Sequence, residues 1–509
     1  MNRGMIAPLL LLLSLTAAAQ SSGDEPLVTV GPITITKKEF IRRYELTPAI
    51  NRRAGDGEAD KAEFLLSMIA EKLLVLKAQQ EGWNNDTVVN NAVREIEQLL
   101  VRDELYRKEV QEKITISEEE RRLGMKRSLN DMKVYFLFAK TKEGAEFLSA
   151  QIEKGKPLES FSFSGEPDSE FAGPDSAIAR WGDVDERMEH VIYNLKLNGT
   201  SKPVQLDDGW YIVKLMGKTV TVLVGERERN GQLEKVESVF RKRKEQKRMT
   251  EYMNAELKGI RTDVQARLMK SVIFHVWDIA QQRFPVRNDT TLFFIDHGVV
   301  DELRSRMKDS MQFPFVTFPH TVWTLAQTME KIRTTNLATV NPTLRRIRAD
   351  LEQRLKDIID QEYLVQTGYR KGLHQSAAVQ NDLKVWRDTY TAQIVKNRIE
   401  DTVTVTQKEI EELKRTFYND TLIVNNDAAA REKMKQLKLN DAFDRYIGAA
   451  ATNAEITFYE KNFTGTKVST TTAMVYRYLG FGGRMFAVPF VPPQIGWIKY
   501  WDNKNVKLP

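Results

Sequence analysis

Leu74-Val75, Gly82, Val89 and Asn91 recur as Leu364-Val365, Gly372, Val379 and Asn381 at one constant offset along the chain. Around these anchors the same order of signals runs twice. In the first copy Leu65, Met68/Ile69, Leu73 and Leu76 are three and four apart, the spacing of one helical face. Gly82 followed by Trp83 stops that helix, as a C-terminal glycine with an apolar residue behind it does. Asp86 then caps a second helix whose face is Val89, Val93, Ile96 and Leu100. In the second copy Leu344, Ile347, Leu351, Leu355 and Ile358/Ile359 form the stripe, and Gly372-Leu373 form the stop. Ser376 is the cap, and Val379, Leu383, Trp386 and Tyr390 are the second face. Any two amphipathic hairpins share a period, but chance does not readily preserve this order. The chain is read as a duplication.

Each copy closes on the same phrase, ITISEEE at Ile114 to Glu120 and VTVTQKE at Val403 to Glu409. Alternating apolar and hydroxyl residues make a short extended link, and Ser117-x-x-Glu120 and Thr406-x-x-Glu409 are capping boxes that start a helix. A cap is worth about 1 kcal/mol, so its role is to fix a joint.

The first residues, MNRGMIAPLLLLLSLTAAAQ, carry Arg3, an apolar core from Ile6 to Leu15, and an Ala17-Ala18-Ala19 cleavage signal. They predict an export signal over 1–19, cleaved after Ala19. The apolar run falls short of the roughly 20 residues a membrane helix needs. No cysteine is present, which excludes disulfides, thiolate catalysis and a lipid anchor on a lipobox cysteine. Basic and acidic residues nearly balance, 76 against 70, so nucleic-acid binding is disfavoured. The one dense basic run, Arg241 to Arg248, lies in a helical pattern and reads as a solvated face, with contact to an anionic membrane surface or an acidic client as the alternative.

The stretch LVTVGPITITKKEFIRRYE, the helices after it and ITISEEE together resemble the N-terminal chaperone region of SurA-type periplasmic foldases. MKVYFLFAK (Met132 to Lys140) then resembles the first strand of a parvulin domain. The next segment resembles its helix with Gly155 and Phe161 behind it. Gly199, Ser201, Pro203, Val204 and Gly209 match the turn before the family's last strand. The resemblance covers roughly residues 27 to 218 and, more faintly, the second copy. No parvulin follows the second copy, where only a loop fits between Phe417 and a helix near Ala428. That helix parallels the one after the parvulin-like domain.

The resemblance implies a prolyl-isomerase centre ordered by two histidines, one in the first strand and one in the last. Phe136 and Tyr211 occupy those places, and no neighbouring residue is a histidine. Phenylalanine has no polar atom and a tyrosine hydroxyl titrates near 10, so neither replaces an imidazole. The domain is therefore expected to be catalytically inactive. The histidines His190, His275, His297, His320 and His374 are too scattered for a metal site, and no cofactor is expected. GFGGR at Gly480 to Arg484 lacks the setting of a phosphate loop and reads as a turn. The aromatic-rich tail from Val468 reads as a hairpin packed on the body, or as a docking surface for an envelope partner. No pattern singles out client-binding side chains.

The expected fold class is mostly α with one α+β module, made of two SurA-like helical modules and one parvulin-like domain. The expected parts are a signal peptide (1–19), a helical chaperone module (20–128), a degenerate parvulin-like domain (129–220) and a helical connector (221–290). A second helical module (291–415), a helical segment (416–463) and the tail (464–509) follow. By resemblance, the function is that of a periplasmic chaperone that holds unfolded envelope or outer-membrane proteins without spanning the membrane. An active peptidyl-prolyl cis-trans isomerase and a structural subunit of an envelope or secretion complex are the alternatives.

Overall fold

The computed structural model describes residues 25–48, 57–163, 169–286, 288–471 and 473–502. The expected export signal and the last residues of the tail lie outside them. The chain forms two compact units, one from residues up to Leu105 and from Ile260 onward, the other from Tyr106–Gly259. It is mostly helical, with small antiparallel sheets and one α+β module. Among the described residues no helix is long and apolar enough to cross a membrane.

In the first unit both copies follow one plan. Strands Pro26–Val30 and Ile33–Thr36 lead into helix Lys37–Leu46, capped by the Thr36 hydroxyl. Strands Pro314–Thr317 and Val322–Thr324 lead into helix Leu325–Thr334, with a Thr324/Gln327 capping box. Helices Gly57–Gln80 and Leu344–Arg370 follow, each ended by a left-handed glycine, Gly82 at φ 73° and Gly372 at φ 71°. That region is open to glycine without steric cost, which is why the stop falls on the same residue type twice. The second helices are Thr87–Glu109 and Ala377–Glu400. Between strand Asp263–Val264 and the second hairpin the chain adds helices Ala266–Arg283 and His297–Arg306. It also adds strand Leu292–Phe294, which pairs with Ala338–Val340.

The two copies exchange parts. Strand Ile456–Phe458, at the end of the second copy, pairs with the first hairpin, Val28 opposite Phe458 and Val30 opposite Ile456. Strand Asp263–Val264 pairs instead with the second hairpin, Val264 opposite Val316. Helix Gly57–Gln80 packs on Ala377–Glu400. Thr87–Glu109 meets Leu344–Arg370 where Gly368 admits Val101, Tyr369 donates to Glu97 at 3.0 Å and Arg102 donates to Gln361 at 2.7 Å. The second faces, Val89, Val93, Ile96 and Leu100 with Val379, Leu383 and Trp386, share one core.

Helix Gly57–Gln80 is covered on nearly every side, so the single stripe read from sequence understates its burial, and Leu66, Leu74 and Val75 are core as well. Its charges are covered too. Arg43 grips Glu71 at 2.6 and 3.0 Å, and Lys72 reaches Asp388 at 2.8 Å and Glu39 at 3.0 Å. Burial pushes Glu71 up, but Arg43 and Lys72 outweigh it and hold the carboxyl at about 2.

The tail packs on this unit. Hairpin Tyr476–Tyr478/Arg484–Phe486 turns through Gly482 and Gly483, Arg477 binds Asp103 and Asp382, and Trp497 is fully buried in the core of the first copy. GFGGR is thus a hairpin turn.

The second unit holds a four-stranded antiparallel sheet in the order Phe171–Ala179, Asn130–Ala139, Trp210–Val220, Val204–Gln205. One face, with Leu137 and Ile212, packs on helix Lys142–Glu153. The other, with Val134, Val213 and Leu215, packs on helix Glu186–Ile192. Helix Glu118–Ser128 and the long helix Glu226–Glu256 complete the unit. The basic run is not a free solvated face. Arg243 clamps Glu189 at 3.0 and 2.7 Å and lies over Trp181, Lys244 binds Glu120, and Arg248 donates to the Glu109 carbonyl at 3.1 Å.

In the second copy helix Gln407–Thr416 is followed by the helical turn Thr421–Val424, where a loop is expected, and then by helix Asp427–Thr452.

Candidate functional site

Phe136 and Tyr211 lie on adjacent antiparallel strands, with Phe136 opposite Val213 and Phe138 opposite Tyr211. Their rings point to the same face of the sheet, 6.0 Å apart. The Phe138 ring is closer still to Tyr211, at 5.1 Å. Sequence reasoning missed Phe138. Its signal was the spacing of two from Phe136 on a strand, which puts both side chains on one face. Gly209 makes room for this third ring: a Cβ there would come within 2.4 Å of the Phe138 side chain and 2.7 Å of the Ala139 carbonyl oxygen.

The Tyr211 hydroxyl donates to Asp208 Oδ2 at 2.8 Å. Burial of the ring and the neighbouring Asp208 carboxylate push its pKa up to about 12. At neutral pH it is a protonated donor already engaged, and it cannot take a proton as an imidazole would. Val204 and Leu206 border the rings. The result is a half-buried aromatic face with one polar edge, suited to holding an apolar or prolyl side chain by contact.

No histidine joins it. His190, the only histidine of this unit, lies at a helix surface with its Nε2 3.4 Å from the Asn194 amide. His320 approaches Glu362 at 3.7 Å and His374 packs on Tyr369, both in the other unit. Among the described residues no three His, Cys, Asp or Glu side chains are grouped to hold a metal ion.

The class of protein to which this chain is similar is the foldases. It is 24% identical over 236 residues to foldase protein PrsA of Geobacillus kaustophilus (strain HTA426), 43% of this chain and 80% of that protein. It is 23% identical over 220 residues to foldase protein PrsA of Geobacillus sp. (strain WCH70), 40% and 75% of the two lengths. Among solved structures, the peptidylprolyl isomerase PrsA from Bacillus anthracis aligns at 16% identity and a TM-score of 0.20, over 37% of this chain and 96% of that one. Foldase protein PrsA from Streptococcus pneumoniae aligns at 15% identity and a TM-score of 0.21, over 43% and 87%. No protein-family model matches the chain.

Proposed function

We propose that this protein is a periplasmic chaperone of SurA-like architecture that holds unfolded envelope proteins, outer-membrane proteins among them, and that its parvulin-like domain has no isomerase activity. The similarity to foldases supports protein clients. The observation that supports an inactive domain is the Phe136, Phe138 and Tyr211 cluster, which lines the expected catalytic face with rings and has its one hydroxyl engaged by Asp208. Prolyl isomerisation must lower a barrier of roughly 18–20 kcal/mol about a bond that is not broken, by binding the twisted amide better than the planar one. Three rings can bind a prolyl segment in both isomers about equally, which holds a client without turning it over.

Two assays on the mature protein test this reading. A protease-free measurement on a short Xaa-Pro peptide is expected to give the uncatalysed rate, while aggregation of an unfolded β-barrel protein is suppressed in proportion to added chaperone. Catalysis well above background that disappears in Tyr211→Phe would establish the isomerase alternative. Failure to suppress aggregation, with one envelope protein co-purifying stoichiometrically, would favour the structural-subunit alternative.

A further inference from the structure

In the first unit, helices Gly57–Gln80 and Ala377–Glu400 and the tail enclose a cleft of about 420 Å³, within the range of roughly 300–1,000 Å³ usual for ligand sites. Its walls are largely apolar, with Leu74, Trp386, Ala392, Phe486 and Val488 among them. A second cavity of about 150 Å³ adjoins it and shares Pro48, Ser67, Met474 and Phe490. Two adjoining apolar hollows suit neighbouring side chains of an extended chain better than one compact molecule.

Two polar features narrow the occupant. The tail crosses the cleft as Val488-Pro489-Phe490-Val491-Pro492, and among the described residues the backbone N–H groups of Val488, Phe490 and Val491 have no acceptor. A strap with unpaired donors is an edge along which an extended peptide pairs. On the opposite wall, Glu71 is already neutralised by Arg43 and accepts from the Thr389 hydroxyl at 2.9 Å. Among the described residues Lys396, also on the wall, has no carboxylate within ion-pair distance, and its ammonium lies 5.6 Å from the centre of the Phe443 ring. Lys396 is half-buried; burial lowers its pKa, partly offset by Glu71, and a carboxylate brought beside it would favour its charged form.

We propose that this cleft is a client-binding site for an extended apolar peptide segment bearing one carboxylate. Its apolar side chains fill the two hollows, its backbone pairs with the strap, and its carboxylate meets Lys396. This assigns the client chemistry and rests on the chaperone reading above.

The test uses the mature full-length protein and two N-terminally fluorescein-labelled, C-terminally amidated peptides, Leu-Phe-Glu-Phe-Leu and its glutamine counterpart, followed by fluorescence anisotropy. The glutamate peptide is expected to bind roughly tenfold more tightly. Lys396→Met should erase that preference, and Ala392→Trp, which fills the larger hollow, should abolish binding of both. Independently of any variant, the glutamate peptide with benzophenone-alanine in place of its first phenylalanine should cross-link to Trp386, Met474 or Phe490. Equal affinity of the two peptides for the wild-type protein overturns the charge assignment, and cross-links only outside the cleft overturn the site. Aggregation suppression is measured alongside. Peptide bound in the cleft without suppression would sink the chaperone reading and leave the site; suppression without cleft cross-links would do the reverse.

Discussion

The Lys438 ammonium lies 2.6 Å from the Glu409 carboxylate and donates to the Thr404 carbonyl at 2.6 Å. Lys244 makes the same two contacts, with Glu120 at 2.7 Å and the Thr115 carbonyl at 2.7 Å. In both copies a lysine on the returning helix therefore clamps the capping box that closes the module. The duplication extends beyond stripes and stops to the contacts of single side chains, although one copy carries a whole domain between box and lysine and the other a helical turn.

This clamp predicts an acid titration. The hydrogen bond from Lys438, followed by those from Thr406, holds Glu409 at about 2, below its ordinary 4.5. Because the folded value is depressed, the contribution of this joint is fully present above about pH 4.5 and is lost as pH falls through about 2. Carboxyl NMR should place the Glu409 midpoint near 2 in the wild-type protein, and Lys438→Met should move it upward. A midpoint unchanged by the substitution would remove the clamp from the explanation.

The buried charges predict a large penalty for removing one of them. Lys72→Met takes the direct cation from Asp388 and leaves Glu39 only the more distant Arg43, 3.7 Å away, in a site where Lys72 is 1% exposed. Urea denaturation should show a loss of about 3–5 kcal/mol. The double change Lys72→Met with Asp388→Leu should recover part of it, since one orphaned charge goes too.

Close approach of the two copies depends on Gly368. A Cβ there would sit 2.5 Å from Val101 Cγ1 and 3.2 Å from the Val101 carbonyl oxygen, which is backbone and cannot swing aside. Gly368→Ala should destabilise the protein by about 1–3 kcal/mol in thermal or urea unfolding. Adding Val101→Ala should relieve only the side-chain part of the clash.

In the second unit, Glu189 ties helix Glu186–Ile192 to the long helix by a bidentate pair with Arg243 and accepts the N–H of Gly182, in the turn after strand Phe171–Ala179, at 2.8 Å. Its side chain is 2% exposed. Glu189→Ala should cost about 3 kcal/mol and speed hydrogen exchange at the Gly182 amide. An unaltered exchange rate there would show that this turn is held by its apolar contacts, Trp181 on Phe240 above all.

Local signals in the sequence carried much of this architecture. The glycine stops at Gly82 and Gly372, the caps Asp86 and Ser376 and both capping boxes adopt the geometry their residue types demand. What sequence concealed was pairing at a distance. Asp263–Val264 and Ile456–Phe458 are too short to show alternation, and their partner strands are set by the tertiary fold. Nothing local announces that a second module covers Arg43, Glu71 and Lys72, all of them buried. At the aromatic face, resemblance pointed to Phe136, Tyr211 and the turn glycine Gly209, while Phe138, Asp208 and the reason for that glycine emerged only once strand register was known. The cleft was invisible because it joins residues from three distant stretches.

The exchanged strands also set a timetable. Strand Pro26–Val30 lacks its third-strand partner until Ile456–Phe458 has been made and delivered. Contacts of such sequence separation form late and slow the folding of the whole chain. The first hairpin therefore keeps one open edge until a strand more than four hundred residues further along the chain reaches it. An open strand edge is a place where another chain can pair, and residues 456–458 are the ones that close it.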